Sequence, residues 1–121
     1  IQKTKNKGRG VFATKNFIIG EIIEQCPVVV ISQSTCEKLD NTELDNYFYA
    51  WRNPDEGALV LGYGWLYNHS YKPNAIYFRD FKHNVMVYKA ISNIKKGAEI
   101  CVNYNGEPDK PDPIDWIDVK D

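Results

Sequence analysis

The stretch Tyr67-Asn68-His69-Ser70-Tyr71-Lys72-Pro73-Asn74, "YNHSYKPN", brings polar side chains and a proline close together. Such residues are poor core material and good turn formers, because Asn and Ser bond to nearby backbone groups and proline fixes φ. Asn and His both donate and accept hydrogen bonds, so they can hold the polar edge of a purine or an amino-acid head group. A lone histidine is more often a core or surface residue. Asn-His-Ser followed by Pro-Asn is far more specific, and it predicts a turn that holds a ligand.

The composition is that of an ordinary globular domain. A chain of 121 residues suits one domain, and 43% hydrophobic residues can form a core. The net charge of −1 gives no general argument for binding nucleic acid or an anionic membrane. No apolar run approaches the ~20 residues of a membrane span, and no signal-peptide pattern opens the chain. We therefore expect no membrane, no direct nucleic-acid partner and no secretion.

The cysteines argue against a disulfide scaffold. Cys26, Cys36 and Cys101 are odd in number, and no two have the C-x-x-C spacing of a zinc knuckle. We expect three reduced and mostly buried thiols, and no metal site.

Strands dominate the predicted secondary structure. Short runs rich in β-branched residues, separated by Gly, Pro and Asn, are typical of strands. The connection at residues 14–21 is expected to turn Phe17 and Ile18 inward. The predicted strands are 11–13, 20–32, 58–62, 74–80, 84–91 and 99–104.

One helix is predicted within residues 34–53. Ser34 and Glu37 match a capping box, and Thr42 with Asp45 offers a weaker second start. The helix should end before Pro54, because the residue preceding proline avoids helical angles. Its apolar face, at the spacing i, i+3, i+4 and i+7, would consist of Leu44, Tyr47, Phe48 and Trp51. The fold class is therefore mostly β, a β-rich α+β domain.

Two further motifs flank the Asn-His turn. In Gly8-Arg9-Gly10, a glycine on each side of one residue lets the backbone approach a ligand closely, although G-x-G alone is more often just a turn. It is not a dinucleotide fingerprint, because the third glycine and the following helix are missing. The second motif, residues 97–104, ends a strand with Tyr104. That tyrosine could also be a core aromatic residue.

Together and in this order, the motifs resemble the SET domain, the fold of protein lysine methyltransferases. The family patterns are G-x-G, N-H-S-x-x-P-N and G-x-E-[IL]-x-x-x-Y. They correspond here to Gly8–Gly10, Asn68–Asn74 and Gly97–Tyr104. The resemblance covers about residues 4–106, and the compact length looks most like the small free-standing SET proteins of large DNA viruses and bacteria. It implies several short sheets, one main helix and a C-terminal pseudoknot.

The resemblance also implies an activity, S-adenosylmethionine-dependent protein-lysine N-methylation of a histone or another basic protein tail. Tyr104 would be the catalytic residue, orienting the amine and favouring the polarised methyl electrostatically. The amine must be neutral, although a lysine has a pKa near 10.4, and a dry channel favours that form. The residues expected to bind the cofactor are Gly8, Arg9, Gly10, Tyr67, Asn68, His69, Tyr104 and Trp116.

A channel for the target lysine needs apolar walls with polar tips, which tyrosine supplies. Tyr47, Tyr63 and Tyr104 are the candidates, although the periodicity makes Tyr47 equally a core residue. Residues 58–62 could accept a substrate peptide as an added strand.

Some positions depart from the family pattern. Asn103 stands where Asp often precedes the terminal tyrosine; the change removes a charge and keeps an acceptor, so we expect tuning of the activity and not its loss. Tyr71 stands where many members have Cys. Trp65-Leu66 replaces the frequent Arg-Phe. No cysteine follows Cys101, so the zinc-binding tail of many members is absent.

Something else must cover the cofactor. We expect a SET domain at 1–106 and a tail at 107–121 that packs over the cofactor site or against a second copy. Trp116 and Ile117 are the apolar pair of this tail. Because two-fold dimers are the commonest oligomers, a homodimer is predicted.

Two rival functions remain open. One is a non-catalytic lysine- or methyl-lysine-binding module on the same fold, and the other is a methyltransferase for a small amine. The presence of Asn68, His69 and Tyr104 together counts against the binding module. The expected location is intracellular, in the nucleus (a host nucleus for a viral protein) or in the cytoplasm.

Overall fold

The computed structural model describes residues 1–45 and 47–114. In this part of the chain strands dominate, and the one helix has seven residues. The mostly-β fold class is therefore confirmed. In chain order the elements are β1 (Gln2–Lys3), β2 (Arg9–Phe12), β3 (Ile22–Ile31), α1 (Gln33–Leu39), β4 (Tyr49–Ala50), β5 (Gly57–Val60), β6 (Asn68–His69), β7 (Ala75–Asp80), β8 (Val85–Ala90) and β9 (Glu99–Val102).

A four-stranded sheet has the order β1-β2-β9-β6. Its strands β1, β2 and β9 are antiparallel, whereas β6 runs parallel to β9. As a result, β9 lies between the strand that follows the first glycine motif and the strand made by the Asn-His pair. The registers pair Gln2 with Gly10, Val11 with Ile100, Asn68 with Cys101 and His69 with Val102.

A five-stranded sheet has the order β4-β5-β3-β8-β7. Strand β5 is antiparallel to both of its neighbours. All four residues of β5 pair with β3, but β4 reaches only Gly57 and Ala58. From Leu59 onward, that edge of β5 has no strand partner in the described residues.

The chain forms two compact units. Within the described residues, the first unit contains 1–24, 66–78 and 87–114, and the second contains 25–45, 47–65 and 79–86. The first unit buries the side chains of Tyr67, Tyr88, Ile100 and Val102, and the second buries those of Cys26, Trp51, Val60 and Met86.

The predicted helix across residues 34–53 is wrong over most of its length. Helix α1 ends at Leu39, and its N-cap is Ser32, whose side chain accepts a hydrogen bond from the Thr35 amide. Residues 41–45 form turns, and Tyr49–Ala50 is strand β4. Two of the residues that fit a helical spacing, Tyr47 and Trp51, also alternate with Tyr49, and this alternation fits a strand beside β5.

The six predicted strands are confirmed, with ends that shift by a few residues. Of the two residues expected to turn inward, Phe17 is buried, but Ile18 is 66% exposed. The two-residue strands β1, β4 and β6 were not predicted, because so short a strand carries no periodicity.

The three cysteines form no disulfide. Cys26 and Cys101 are buried and Cys36 is half-buried, as expected from the sequence. Burial raises the pKa of the Cys36 thiol. Among the described elements, α1 is too short and too polar to cross a membrane.

Candidate active site

The three sequence motifs meet in the four-stranded sheet. Gly10 lies in β2, Asn68 and His69 form β6, and Glu99 begins the central strand β9. Tyr104 follows β9 by two residues. All of these residues belong to the first unit.

Gly10 leaves the space in which the other two motifs meet. A Cβ at this position would lie 2.5 Å from the Glu99 Oε2 atom and 2.9 Å from the Asn68 Nδ2 atom. Those two atoms are themselves hydrogen-bonded at 2.7 Å. A side chain at position 10 would therefore displace the contact between β6 and β9.

The Asn68 side chain is oriented by two hydrogen bonds from its amide nitrogen. Nδ2 donates to the Arg9 carbonyl at 2.9 Å and to the Glu99 carboxylate. Both amide hydrogens are thus used within the protein. The Oδ1 atom has no hydrogen-bond partner among the described residues, which leaves one fixed acceptor at this position.

His69 joins the turn to the terminal tyrosine. Its ring is 4% exposed, and its Nδ1 atom accepts a hydrogen bond from the Tyr104 amide at 3.0 Å. Since an accepting nitrogen carries no proton, the neutral ring is the Nε2–H tautomer. The Lys7 ammonium group donates to the His69 carbonyl at 3.2 Å, so a cation lies beside the turn.

Tyr104 is held at three atoms. Its amide bonds to His69, its carbonyl accepts from the Tyr77 hydroxyl at 3.3 Å, and its hydroxyl donates to the Tyr67 carbonyl at 2.6 Å. The hydroxyl oxygen keeps lone pairs, so it can still accept a hydrogen bond from a second group.

Tyr67 is equally well fixed. Its ring is 2% exposed and stacks on Tyr88, with ring centroids 4.3 Å apart. Its hydroxyl donates to Glu24 at 2.7 Å. The carbonyl that accepts the hydrogen bond from the Tyr104 hydroxyl therefore belongs to a buried residue whose ring and hydroxyl are both fixed.

The remaining residues of the turn are structural. The Ser70 hydroxyl accepts from the Lys72 amide at 2.9 Å. The Asn74 side chain donates to the Glu99 carbonyl and accepts from the Cys101 amide, both at 2.9 Å, so it extends the pairing of β9. The first half of the motif thus contributes to the candidate site, and Asn74 in the second half bonds to strand β9.

The other predicted residues lie elsewhere. Tyr47 is 43% exposed and Tyr63 is 52% exposed, and both belong to the second unit. The Tyr47 ring lies 5.5 Å from that of Trp65. Tyr47 is therefore not the core residue that its periodicity allowed. Trp116 lies outside the described residues.

The sequence analysis gave no role to four residues that contact this site: Lys7, Glu24, Glu99 and Tyr77. Glu99 was present in the third motif, and a carboxylate within an apolar strand was the signal. The sequence contained no such signal for Lys7, Glu24 and Tyr77, because each contacts a partner that is distant in sequence. The described residues contain no cluster of three or more His, Cys, Asp or Glu residues that could hold a metal ion.

Comparison with known proteins identifies the family. The SET domain model matches residues 8–105. A histone-lysine N-methyltransferase of Schizosaccharomyces pombe, specific for H3 lysine 37, is 35% identical over 105 residues, which cover 86% of this chain and 71% of that protein.

Solved structures share the fold. The crystal structure of a proposed histone methyltransferase of Plasmodium falciparum matches with a TM-score of 0.70 at 38% identity, over 86% of this chain and 90% of that one. The polycomb repressive complex 2 of Chaetomium thermophilum, in an autoinhibited conformation bound to S-adenosylmethionine, matches with a TM-score of 0.68 at 19% identity. That match covers 88% of this chain and 15% of the other.

Proposed function

The chain belongs to the SET-domain family, and we propose that it methylates a lysine of a histone or of another basic protein tail. It is a protein-lysine N-methyltransferase that uses S-adenosylmethionine. The observation that carries the proposal is the position of Tyr104. Its hydroxyl is fixed on a buried carbonyl, and its amide is fixed on the histidine of the Asn-His turn.

The residues present fit the cofactor. Gly8 has a φ of +75°, and a Cβ at this position would have no other atom within 4 Å, so the backbone is open to a ligand there. Gly10 has no side chain that would displace Asn68 from its bond to Glu99. Asn68 Oδ1 is an acceptor left over after both amide hydrogens are bonded. We propose that Gly8, Arg9, Gly10, Tyr67, Asn68, His69 and Tyr104 hold S-adenosylmethionine. When bound, it supplies a methyl group on a positively charged sulfur.

Tyr104 would orient the target amine. Because its proton is directed to the Tyr67 carbonyl, its oxygen can accept a hydrogen bond from a lysine N–H. An amine held by its N–H has its lone pair directed elsewhere, as attack on a methyl group requires. Fixed orientation of this kind can contribute several kcal/mol toward the barrier. The role needs a neutral amine, because an ammonium nitrogen has no lone pair.

The substrate is proposed to be a histone H3 tail or a similar basic segment, by analogy with the Schizosaccharomyces pombe relative. Exposed aromatic residues in the second unit support a protein substrate, and Tyr47 and Tyr63 are proposed as channel residues. The edge of β5 from Leu59 is available for an added strand in the described residues. The expected range for an added substrate strand, 58–62, is therefore reduced to 59–62, because Ala58 already pairs with β4.

Several finer expectations remain proposals. We propose that residues 1–106 form the catalytic domain, that the tail at 107–121 covers the cofactor with Trp116, and that the protein is a homodimer. A histone substrate would place the enzyme in a nucleus. The similarity to small viral and bacterial SET proteins stays a prediction; the relatives described above are eukaryotic. Trp116→Ala should lower cofactor affinity or raise the monomer fraction, measured by calorimetry and light scattering.

Release of S-adenosylhomocysteine tests the function. The wild-type protein should release it with a panel of histones and other basic proteins, and not with the cofactor alone. Turnover with free amines but with no protein would favour the small-amine methyltransferase. Peptide binding without any turnover would favour the binding module.

A further inference from the structure

The described tail, residues 107–114, is held by side chains next to Tyr104. Asn103 is 3% exposed, and its Nδ2 atom donates to the Lys110 carbonyl at 2.8 Å and to the Pro108 carbonyl at 3.4 Å. Its Oδ1 atom accepts from the Asn105 amide at 3.0 Å. The Asn103 side chain therefore closes a loop of the chain onto the end of β9.

Asn105 and Tyr71 continue this set of bonds. Asn105 Nδ2 donates to the Lys110 carbonyl at 3.3 Å and to the Asp112 carbonyl at 3.0 Å. The Tyr71 hydroxyl also donates to the Asp112 carbonyl, at 3.0 Å, and accepts from the Ile114 amide at 3.2 Å. Three side chains thus bind four backbone groups of the tail.

The residue types match what this tail lacks. Prolines at 108, 111 and 113 have no N–H, so the segment lacks the donors for the regular backbone hydrogen bonds of a helix or strand. Donors must come from side chains, and Asn and Tyr supply them without charge. An ionised Asp at position 103, the residue frequent in the family, has no hydrogen to donate.

The bonds lead directly to the proposed cofactor turn. The Tyr71 ring lies edge-on to the His69 ring, with centroids 4.4 Å apart at 88°. His69 in turn accepts the Tyr104 amide. The tail, the turn and the terminal tyrosine are therefore linked by direct contacts within the first unit.

We infer that Tyr71, Asn103 and Asn105 form a tail clasp, which holds residues 108–114 against the cofactor turn by neutral hydrogen bonds and keeps His69 in place. The inference rests on the proposed function, because it assigns the His69 turn to the cofactor. Tyr71 and Asn103 are positioning residues: they act on the cofactor through His69 and the tail. Residues 105–121 contain no Cys or His, so residues 108–114 are held by the clasp and not by zinc ligands of their own.

Amide hydrogen exchange at Ile114 tests the clasp in the full chain. Tyr71→Phe removes the acceptor of this amide. Asn103→Asp does not touch the amide, so it changes Ile114 only if the clasp acts as a unit. Protection of Ile114, measured relative to an unstructured chain at the same pH, should fall about three- to tenfold in each variant.

The pH dependence separates donation from mere packing. In Asn103→Asp, the protonated carboxyl can donate to the tail and the ionised one cannot, so docking of the tail raises the pKa of the new carboxyl. Protection in this variant should be present at low pH and be lost as the pH rises through that pKa. The wild-type protein should show no such loss over the same range.

Asn93→Asp is the matched control. Asn93 Oδ1 accepts from the Ile19 amide at 2.9 Å, and a carboxylate can accept the same bond. This variant adds the same charge in the same unit and should leave Ile114 protection and cofactor affinity unchanged. If Asn103→Asp does not fold at neutral pH, Tyr71→Phe decides the result.

Calorimetry with S-adenosylmethionine completes the experiment. Loss of Ile114 protection together with about three- to tenfold weaker cofactor binding in both clasp variants supports the inference. Unchanged protection overturns the clasp, and lost protection with unchanged affinity overturns its positioning role. If the wild-type protein binds no cofactor, both the proposed function and the positioning role are wrong. The hydrogen-exchange data would still show whether the clasp holds the tail.

Discussion

The sheet around β9 and the segment at residues 40–65 are held together by different means. In the sheet, buried or half-buried side chains such as Asn68, His69 and Asn103 hydrogen-bond directly to neighbouring strands and loops. In the segment, exposed residues such as Thr42 and Asn53 cap local turns. The first arrangement fixes atoms in place, as chemistry requires. The second presents aromatic surface, as recognition of a partner requires.

The energetic consequence is that substitutions in the two regions should differ in kind. A buried polar group that loses its partner costs about 1–3 kcal/mol, whereas an exposed side chain typically changes stability by less than about 0.5 kcal/mol. The sheet should therefore show large effects on folding and on cofactor binding. Substitutions of the exposed side chains in the segment should show small effects on folding.

The largest effect on binding is expected from His69→Ala. The variant leaves the buried end of the turn without the acceptor of the Tyr104 amide, so the cofactor site loses its shape. Cofactor affinity should fall about ten- to a hundredfold, as measured by calorimetry. His83→Ala is the control. His83 is exposed, and among the described residues both its ring and its amide bond to the carboxylate of Asp80. Equal affinity in the wild type and His69→Ala would show that the turn does not hold the cofactor.

Gly10→Ala should have the next largest effect. The new methyl group would lie within 2.5 Å of Glu99 Oε2 and would push apart the bond between Glu99 and Asn68. We expect a loss of about 1–3 kcal/mol in the free energy of unfolding, measured with denaturant.

A double-mutant cycle sharpens that result. In a Glu99→Ala background the carboxylate is gone, so Gly10→Ala should cost clearly less than it does alone. Equal costs in both backgrounds would mean that the cost of Gly10→Ala comes from the contacts with Asn68 and Thr4, each 2.9 Å from the new methyl group, and not from Glu99.

The smallest effects on stability are expected for Leu44→Ala and Tyr47→Ala. Both side chains are exposed, at 37% and 43%. Unfolding free energies should change by less than about 0.5 kcal/mol, with Trp51→Ala, a buried residue of the same unit, as the contrasting variant at about 3–5 kcal/mol. A large loss in Tyr47→Ala would remove the difference between the two regions.

Tyr63→Ala should raise KM for the protein substrate and leave cofactor affinity unchanged.

The same contrast explains what the sequence could predict. Gly10, Asn68, His69 and Tyr104 could be singled out because they belong to specific motifs in a fixed order, and the structure places them in or next to adjacent strands. Within the predicted helix at 34–53, the part after α1 was wrong because Tyr47 and Trp51 fit both a helical and a strand period, and pairing of β4 with β5 decided between them. The roles of Tyr71 and Glu99 could not be predicted, because each depends on a partner in a distant part of the chain.

The departures from the family pattern teach a related point. Asn103 was expected to be a mild change that removes a charge and keeps an acceptor. In the structure its donating Nδ2 atom matters as well, because two tail carbonyls accept from it. Replacing Asn by an ionised Asp removes a hydrogen-bond donor. Only the neighbouring groups in the structure show whether that donor is used.

Tyr104→Phe is the measurement that tests the central account most directly, because it keeps the ring and removes only the hydroxyl bonded to the Tyr67 carbonyl. The variant should fold and bind S-adenosylmethionine as the wild type does. Its release of S-adenosylhomocysteine with the preferred protein substrate should fall by about a hundredfold. Methylation at the wild-type rate would show that Tyr104 is a packing residue and would contradict the proposed mechanism.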